Sequence, residues 1–348
     1  MTTSCVSILF TGDMSSPFVI RDYEMLCKDY NVSLTPLPRD NGKLKRYLNN
    51  FFYIPHLFLK LKDANILFSE FASWHSAVGV LCCKILKKKS IIVVGGYDAA
   101  NLPELKYGLF ANPFTAIFAK ITYRYGDRFL VVEKSLAADI CINMNDYIKN
   151  IIYIPRGHDS QKFKYDYTEL QKGTKTVLTV AKADYVNRVK LKGLDTFVTA
   201  ARYFPDVQFV VIGVTGKAKD YLKEKLKYTY NNVLFIGYLP QDQLVTYFKL
   251  AKVYCQLSKR EGIPNVLCEA MLCECIPVGT KVPGIMEAIG DTGYLMEYGD
   301  VDDTVRAIRM ALNTPDIAGE HARRRILYKF SDEQRRSKIR KVILDLWG

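Results

Sequence analysis

The chain has 348 residues, 49% of them hydrophobic, and a mean hydropathy of −0.03, which describes a globular enzyme too long for one core and so of two domains. Its formal charge of +13 is shared along the chain, with 22 Lys and Arg against 16 Asp and Glu in residues 1–172 and 27 against 20 in the rest. That evenness excludes a dedicated nucleic-acid face, which needs one basic stripe, and leaves an anionic small ligand or an anionic membrane surface as the partner.

No run reaches the ~18 apolar residues of a membrane-spanning helix, and MTTSCVSILFTGD is too short and polar for a signal peptide. A cytoplasmic protein is expected, with peripheral contact to the inner face of a membrane. The nine cysteines are scattered in apolar contexts, as reduced core thiols are. Cys273 and Cys275 have no second pair nearby, so no zinc site is expected.

SILFTGD reads as a strand leaving at Gly12, followed by a loop through Ser15 and Ser16 and a helix to about Lys28, then the strand NVSLTPLP. Residues 43–62 carry Lys43, Lys45, Arg46, Lys60 and Lys62 around Phe51, Phe52, Tyr53, Ile54, Leu57, Phe58 and Leu59. The pattern fits either an amphipathic core helix or an interfacial one, in which each cation near an anionic leaflet contributes about 1 kcal/mol. Lys84, Lys87, Lys88 and Lys89 would add to it.

NILFSEF, a helix over residues 74–86 and the strand SIIVVGGYD follow. This alternation predicts a parallel sheet with ligands at the carboxyl ends of its strands, and His75 and Asp98 fall just past such ends. Residues 107–125 read as a helix and DRFLVVEKS as a strand and turn. The domain boundary is expected within residues 157–172, giving domains 1–160 and 173–330 and a C-terminal helix, 331–348, that crosses back to the first.

The second domain opens with the strand TVLTVAK and a lysine-rich loop, ADYVNRVKLKG, before a helix from about Leu194. VQFVVIG ends at Gly213 and NVLFIGYLP at residues 237–240. DVDDTV resembles a metal-binding pattern but opens a helix, where acidic residues suit the dipole, so no metal is assigned to it.

The most informative stretch is EGIPNVLCEAM. Val253, Tyr254 and Leu257 run into the turn Ser258, Lys259, Arg260, Glu261, Gly262, and a helical pattern begins with Pro264 near its first position. Gly262, Ile263, Asn265 and Val266 would thus present the unpaired backbone N–H groups of a helix start, which bind phosphate, while Pro264, which has no N–H, sets the backbone of the first turn. Glu261 lies before that start, and Glu269 lies roughly 7–8 Å beyond Pro264 along the axis at about 1.5 Å per residue. Carboxylates flanking a phosphate site suit sugar hydroxyls on either side, so the spacing fits a sugar, a diphosphate and a ribose in a row.

Residues 237–296, from GYLPQDQL to GYLM, closely resemble the nucleotide-binding half of the family 4 glycosyltransferases, a large retaining family of the GT-B fold. The resemblance implies an α/β protein of two doubly wound Rossmann-like domains facing across a cleft, with the acceptor on the first and a nucleotide sugar, UDP- or GDP-linked, on the second. By the family's E-x7-E pattern, Glu261 contacts the donor sugar and Glu269 the ribose. Lys192 matches the KG element that binds the donor diphosphate, with Arg188 or Lys182 as the second cation, and no metal or other cofactor is implied. Lys217 falls near the donor, and the backbone at Tyr238 and Leu239 reads the base. Glu274, where the family commonly has Gly, alters a helix end.

In the first half the family's Gly-rich turn is replaced by DMSSP, which passes an acceptor-side role to Ser15 and Ser16. Its HG-x-D segment reads Gly95, Gly96, Tyr97, Asp98 here, so the His is missing; Asp98 matches, and His75 lies in the neighbouring loop, so the resemblance implies that either approaches the reaction centre, Asp98 as a catalytic residue and His75 on the acceptor side. IPRGHDSQKF resembles the family's interdomain crossing. The basic, aromatic N-terminal stretch favours a lipid-linked acceptor. A nucleotide-sugar epimerase of the same fold, or a sugar-nucleotide-binding scaffold without catalysis, are the alternatives.

Overall fold

The computed structural model describes residues 6–37, 43–165, 173–226 and 231–348, without the side chains of 43–51 and 173–175. It divides into two compact units, Met1–Pro155 with Arg335–Gly348, and Arg156–Gln334.

In the first unit strands and helices alternate. They are β1 (Ser7–Thr11), α1 (Pro17–Cys27), β2 (Asn31–Leu34), α2 (Lys43–Lys62), β3 (Ile66–Glu70) and α3 (Trp74–Leu86), then β4 (Lys89–Val94), α4 (Pro113–Tyr125), β5 (Arg128–Val131), α5 (Ser135–Met144) and β6 (Ile151–Tyr153). The strands pair in the order β2-β1-β3-β4-β5-β6, all parallel. Such strands are covered on both faces, which explains why β3 is buried throughout and β4 is buried from Ser90 on. Right-handed crossovers put α1 on one face of the sheet and α2 to α5 on the other; α2 packs on α3 and α3 on α4. The strand order reverses between β1 and β3, where ligands of such sheets bind.

The second unit contains β7 (Gly173–Ala183), α6 (Val186–Lys192), α7 (Leu194–Ala200), β8 (Gln208–Val214), α8 (Gly216–Lys225), β9 (Val233–Ile236) and α9 (Gln241–Leu250). It continues with β10 (Ala251–Gln256), α10 (Asn265–Leu272), β11 (Ile276–Thr280), α11 (Pro283–Ile289), β12 (Tyr294–Met296), α12 (Val301–Asn313) and α13 (Ile317–Lys329). Its sheet is also parallel, in the order β12-β11-β10-β7-β8-β9, so the reversal falls between β7 and β10. The last helix, α14 (Asp332–Trp347), belongs to the first unit from Arg335 on. There the buried Arg335 donates through Nε to Asp22 Oδ1 at 2.7 Å and through Nη2 to Oδ2 at 2.5 Å, and through Nη1 to the carbonyls of Ile154 and Pro155.

Three local expectations change. The helix expected over residues 107–125 begins only at Pro113, because Gly108 takes a φ of 104° and Tyr107 instead pairs with Leu102. The lysine-rich loop before Leu194 holds a helix, α6. Lys182 lies inside the end of β7 rather than after it. Glu274 adopts a φ of 64° just past α10, the left-handed ending that usually falls to glycine, and Asp300 caps α12 through the N–H of Asp303 at 2.9 Å. Of the expected interfacial cluster, the side chains of Lys43, Lys45, Arg46 and Phe51 lie outside the described residues, as does segment 166–172 of the expected boundary.

Candidate active site

The residues expected to hold a donor collect at the carboxyl ends of four neighbouring strands of the second unit. Lys182 is at the end of β7, Gly213 at that of β8, Tyr238 and Leu239 follow β9, and Glu261 to Val266 follow β10. β10 and β7 are the two strands at which the order reverses.

The centre of this edge is Glu261. Its Oε1 accepts from Ser258 Oγ at 2.8 Å and from Gln256 Nε2 at 3.2 Å, and forms an ion pair with Lys192 Nζ. Gln256 Nε2 also donates to Ser258 Oγ at 2.9 Å, and its Oε1 accepts from the buried Tyr254 hydroxyl at 3.1 Å. Burial, with the charges of Glu261 and Glu269 behind it, pushes the Tyr254 phenol well above its ordinary range, so it serves as a donor. All three partners of Glu261 meet one oxygen, and among the described residues no hydrogen bond reaches Oε2. A carboxylate fixed through one oxygen leaves the other able to accept a further hydrogen bond.

Backbone geometry brings Lys192 to this point. Gly193 ends α6 with a φ of 62°, and a Cβ there would stand 2.0 Å from the carbonyl oxygen of Leu257. Lys259 N–H donates to Leu191 O at 2.8 Å, which ties the end of α6 to the loop after β10. The Lys-Gly pair is thus a close-packing device that carries a cation. Gly284 plays the same part opposite: a Cβ there would meet Gly262 O at 1.9 Å, so the turn after Glu261 rests on the start of α11. Pro264 precedes α10 in an extended conformation, φ −72° and ψ 118°, and leaves the first amides of that helix at the strand edge.

Arg188, a turn before Lys192 on α6, donates through Nε to Tyr185 Oη at 3.1 Å. Lys182 and Lys217 are exposed. Lys192 is therefore the cation that the structure joins to Glu261. Glu269 is buried and accepts from Gln241 Nε2 at 2.6 Å. Gln241 Oε1 in turn accepts from Lys162 Nζ at 3.0 Å, and Lys162 pairs with Asp242 at 2.6 Å. Glu261 is thus held by Ser258, Gln256 and Lys192, and Glu269 by Gln241.

In the first unit, Ser15 and Ser16 form a turn before α1, with Asp13 Oδ1 accepting from Ser15 N at 3.0 Å and Oγ at 2.8 Å. His75 is turned inward: Nδ1 accepts from Ser73 Oγ at 2.7 Å, and Nε2 donates to Glu70 O at 2.8 Å in the tautomer this network requires. Burial pulls its pKa down to about 4, against the Glu70 carbonyl, so the ring is neutral. Asp98 is wholly buried, with Oδ1 accepting from Gly95 N at 3.0 Å and Gly96 N at 2.9 Å, and Oδ2 from Ala72 N at 3.0 Å. Burial pushes its carboxyl up, and those amides oppose the shift. Asp98 thereby fastens the loops after β3 and β4 to each other, and His75 fastens the start of α3 to the end of β3. At Gly95, where the resembling family has His, the ring of Phe71 comes within 2.3 Å of where a Cβ would lie.

Four side chains of the second-unit site carried no motif in the sequence: Gln241, Gln256, Ser258 and Lys162. Only Ser258, three residues before Glu261 in a turn, gave a local sign. The eight described cysteines are free thiols, and among the described residues no group of three or more His, Cys, Asp or Glu is placed to hold a metal ion.

Residues 167–329 match the sequence family described as glycosyl transferases group 1. The chain is 33% identical over 121 residues to the N-acetyl-alpha-D-glucosaminyl L-malate synthase of Bacillus anthracis, covering 33% of this chain and 31% of that one. It is 26% identical over 197 residues to one component of the phosphatidylinositol N-acetylglucosaminyltransferase of Arabidopsis thaliana, covering 54% and 43%. The matches thus span less than half the length of either relative. Crystal structures of Anabaena HepE, solved with UDP and with UDP-glucose, superpose with a TM-score of 0.76 at 14% identity, covering 98% of this chain and 100% of that one. The chain is therefore a two-unit α/β protein of GT-B fold whose residues 167–329 carry the sequence pattern of the glycosyl transferases group 1.

Proposed function

We propose that the protein is a retaining glycosyltransferase that moves a sugar from a nucleoside-diphosphate sugar, UDP- or GDP-linked, to a lipid-linked acceptor. One observation carries the reading: Glu261 and Lys192 are locked together at the strand-order reversal of the second unit, beside the start of α10. The family match supports transfer, and the UDP and UDP-glucose bound to HepE support the donor class. The phosphatidylinositol in the name of one relative supports a lipid acceptor.

In this reading Lys192 exchanges its carboxylate partner for the diphosphate. Negative charge grows on that group as the glycosidic bond breaks, and the cation and the amides of α10 stabilise it as fixed charges. Glu261 stays anchored by Ser258 and Gln256 and accepts from a sugar hydroxyl through Oε2. Glu269, held by Gln241, takes the ribose. The departing diphosphate oxygen receives the acceptor proton on the same face, which retains the anomeric configuration. Lys192 supplies the charge that a metal supplies in other donor sites, so transfer is expected without one.

Melting temperatures with UDP, GDP, ADP and CMP, each with and without EDTA, test the donor assignment. A nucleotide at 100 times its Kd adds about 2.7 kcal/mol. A shift with UDP or GDP that survives EDTA is expected; no shift with any of them overturns the site. Glu261→Ala should then lower turnover more than donor affinity, and Glu269→Ala should mainly weaken the donor, roughly tenfold or more. The opposite pattern contradicts the roles. The inward placement of Asp98 and His75 favours one rival, a donor-binding scaffold, which would bind nucleotide and turn over with no acceptor extract.

A further inference from the structure

On the first unit, α2, α3 and α4 lie side by side on one face of the sheet, and each exposes large apolar side chains to solvent. Phe52 and Leu59, two turns apart, do so on α2, and Leu81 and Ile85 on α3, where Ile85 is 71% exposed. On α4, Phe114, Ile117 and Phe118 form a stripe whose first member is 80% exposed. A helix facing only water does not normally arrange phenylalanine and isoleucine in this way, and contiguous apolar surface marks a site of contact.

The charges in the sequences of these three helices have one sign. Helix α2 carries Lys43, Lys45, Arg46, Lys60 and Lys62, α3 carries Lys84, and α4 carries Lys120 and Arg124, with no Asp or Glu on any of the three. Lys87, Lys88 and Lys89 follow α3. Asp127, past the end of α4, pairs with Lys84 at 3.1 Å, and Asp63 follows α2. Solvated helices elsewhere in the chain mix signs, as α12 does with Asp303 and Arg306 and α13 with Glu320 and Arg324. Among the other described α-helices only the short α6, with Arg188, Lys190 and Lys192, repeats the bias, and it exposes no large apolar side chain.

We infer that the α2–α3–α4 face of the first unit docks on an anionic lipid bilayer. Apolar tips enter the acyl boundary while the lysine and arginine heads stay at the level of the phosphates, an arrangement that binds without spanning. Among the described residues no helix is long and apolar enough to cross a membrane. A second copy of the chain is a poor occupant, because a two-fold contact sets each patch against itself and would oppose cations with cations. The inference adds α4 and the apolar tips of α3 to the helix and the lysines that the sequence singled out, and it does not depend on the transfer reading.

Co-sedimentation of the full chain with phosphatidylcholine vesicles, with and without phosphatidylglycerol, tests it. Pelleting is expected only with the anionic vesicles, at low ionic strength, and should fall as salt rises. Lys120→Glu with Arg124→Glu should lower the partition coefficient roughly fivefold or more for each cation removed, and Phe114→Ser with Ile117→Ser should lower it at any salt. These side chains are exposed, so unchanged melting temperature and nucleotide binding would show that the variants fold. Failure to pellet at low salt, or equal pelleting of the variants, overturns the inference. So does a concentration-dependent dimer that the same variants abolish, which would assign the face to a second copy. Partition is read without donor or turnover, so either outcome leaves the transferase reading to its own test.

Discussion

Replacing Gly193 by Ala should damage the site without touching any group expected to contact a ligand. An added Cβ meets two obstacles. The φ of 62° costs an L-residue about 1–2 kcal/mol, and the methyl group would stand 2.0 Å from Leu257 O, whereas real Cβ contacts begin near 3.0 Å. Leu257 O is backbone, so no rotamer change relieves the contact, and the end of α6 must retreat from the loop after β10 by about 1 Å. Together these should destabilise the second unit by roughly 3 kcal/mol and lower its Tm by roughly 6–12 °C. The same retreat separates Lys192 from Glu261, and a misplacement of about 1 Å at a reacting centre can cost on the order of 100-fold in turnover. The assay is paired: Tm by calorimetry, and donor turnover or, before an acceptor is identified, the nucleotide-induced shift in Tm. Gly237→Ala, where no atom lies within 4 Å of an added Cβ, is the stability control. If Gly193→Ala melted and turned over like the parent chain, the claim that this glycine positions the cation would fail.

Other consequences are nearer the surface of the chemistry. Ser258→Ala should lower kcat on the order of tenfold with little change in donor KM, because a hydrogen bond to a carboxylate is worth about 1.5–3 kcal/mol and the loss loosens Glu261 rather than the nucleotide; a change confined to KM would refute a positioning role. His75 gives the first unit an acid sensitivity. Its folded pKa of about 4 lies below the unfolded 6.5, so the unfolded chain binds the proton first, and the stability is whole above pH 6.5 and drains away as pH falls toward 4. The loss should reach roughly 3 kcal/mol by pH 4. Urea midpoints of the parent and His75→Gln at pH 7.5 and 4.5 check the sign, since the variant should lose less on acidification.

Alternating strands and helices made the α/β class legible, because burial on both faces writes continuous apolar runs into parallel strands. Strand order was not legible, since hydrophobic periodicity identifies an element but not its neighbour. Glu261 and Lys192 could each be found from a motif, yet their pairing could not. They are 69 residues apart, and what joins them is the approach of Gly193 to a carbonyl, which has no signature beyond one glycine. Gln256 and Ser258 escaped for a different reason: uncharged polar residues near a strand end are common, and only orientation makes these two matter. His75 and Asp98 were correctly located past strand ends, but sequence position does not say which way a side chain turns, and both point inward. Helix α6 was hidden because VNRVKLK is short and basic and becomes a helix only where Val189 and Leu191 find a core.

The clasp between Asp22 and Arg335 also has a history in time. The partners are 313 residues apart, so at about 5–20 residues per second a ribosome needs roughly 15–60 s after making the carboxylate to make its guanidinium. Throughout that interval the second unit, a single uninterrupted stretch, is completed. The half of the protein that emerges first is thus the last to be finished, with Asp22 hydrated and its side of the sheet covered by α1 alone until α14 arrives.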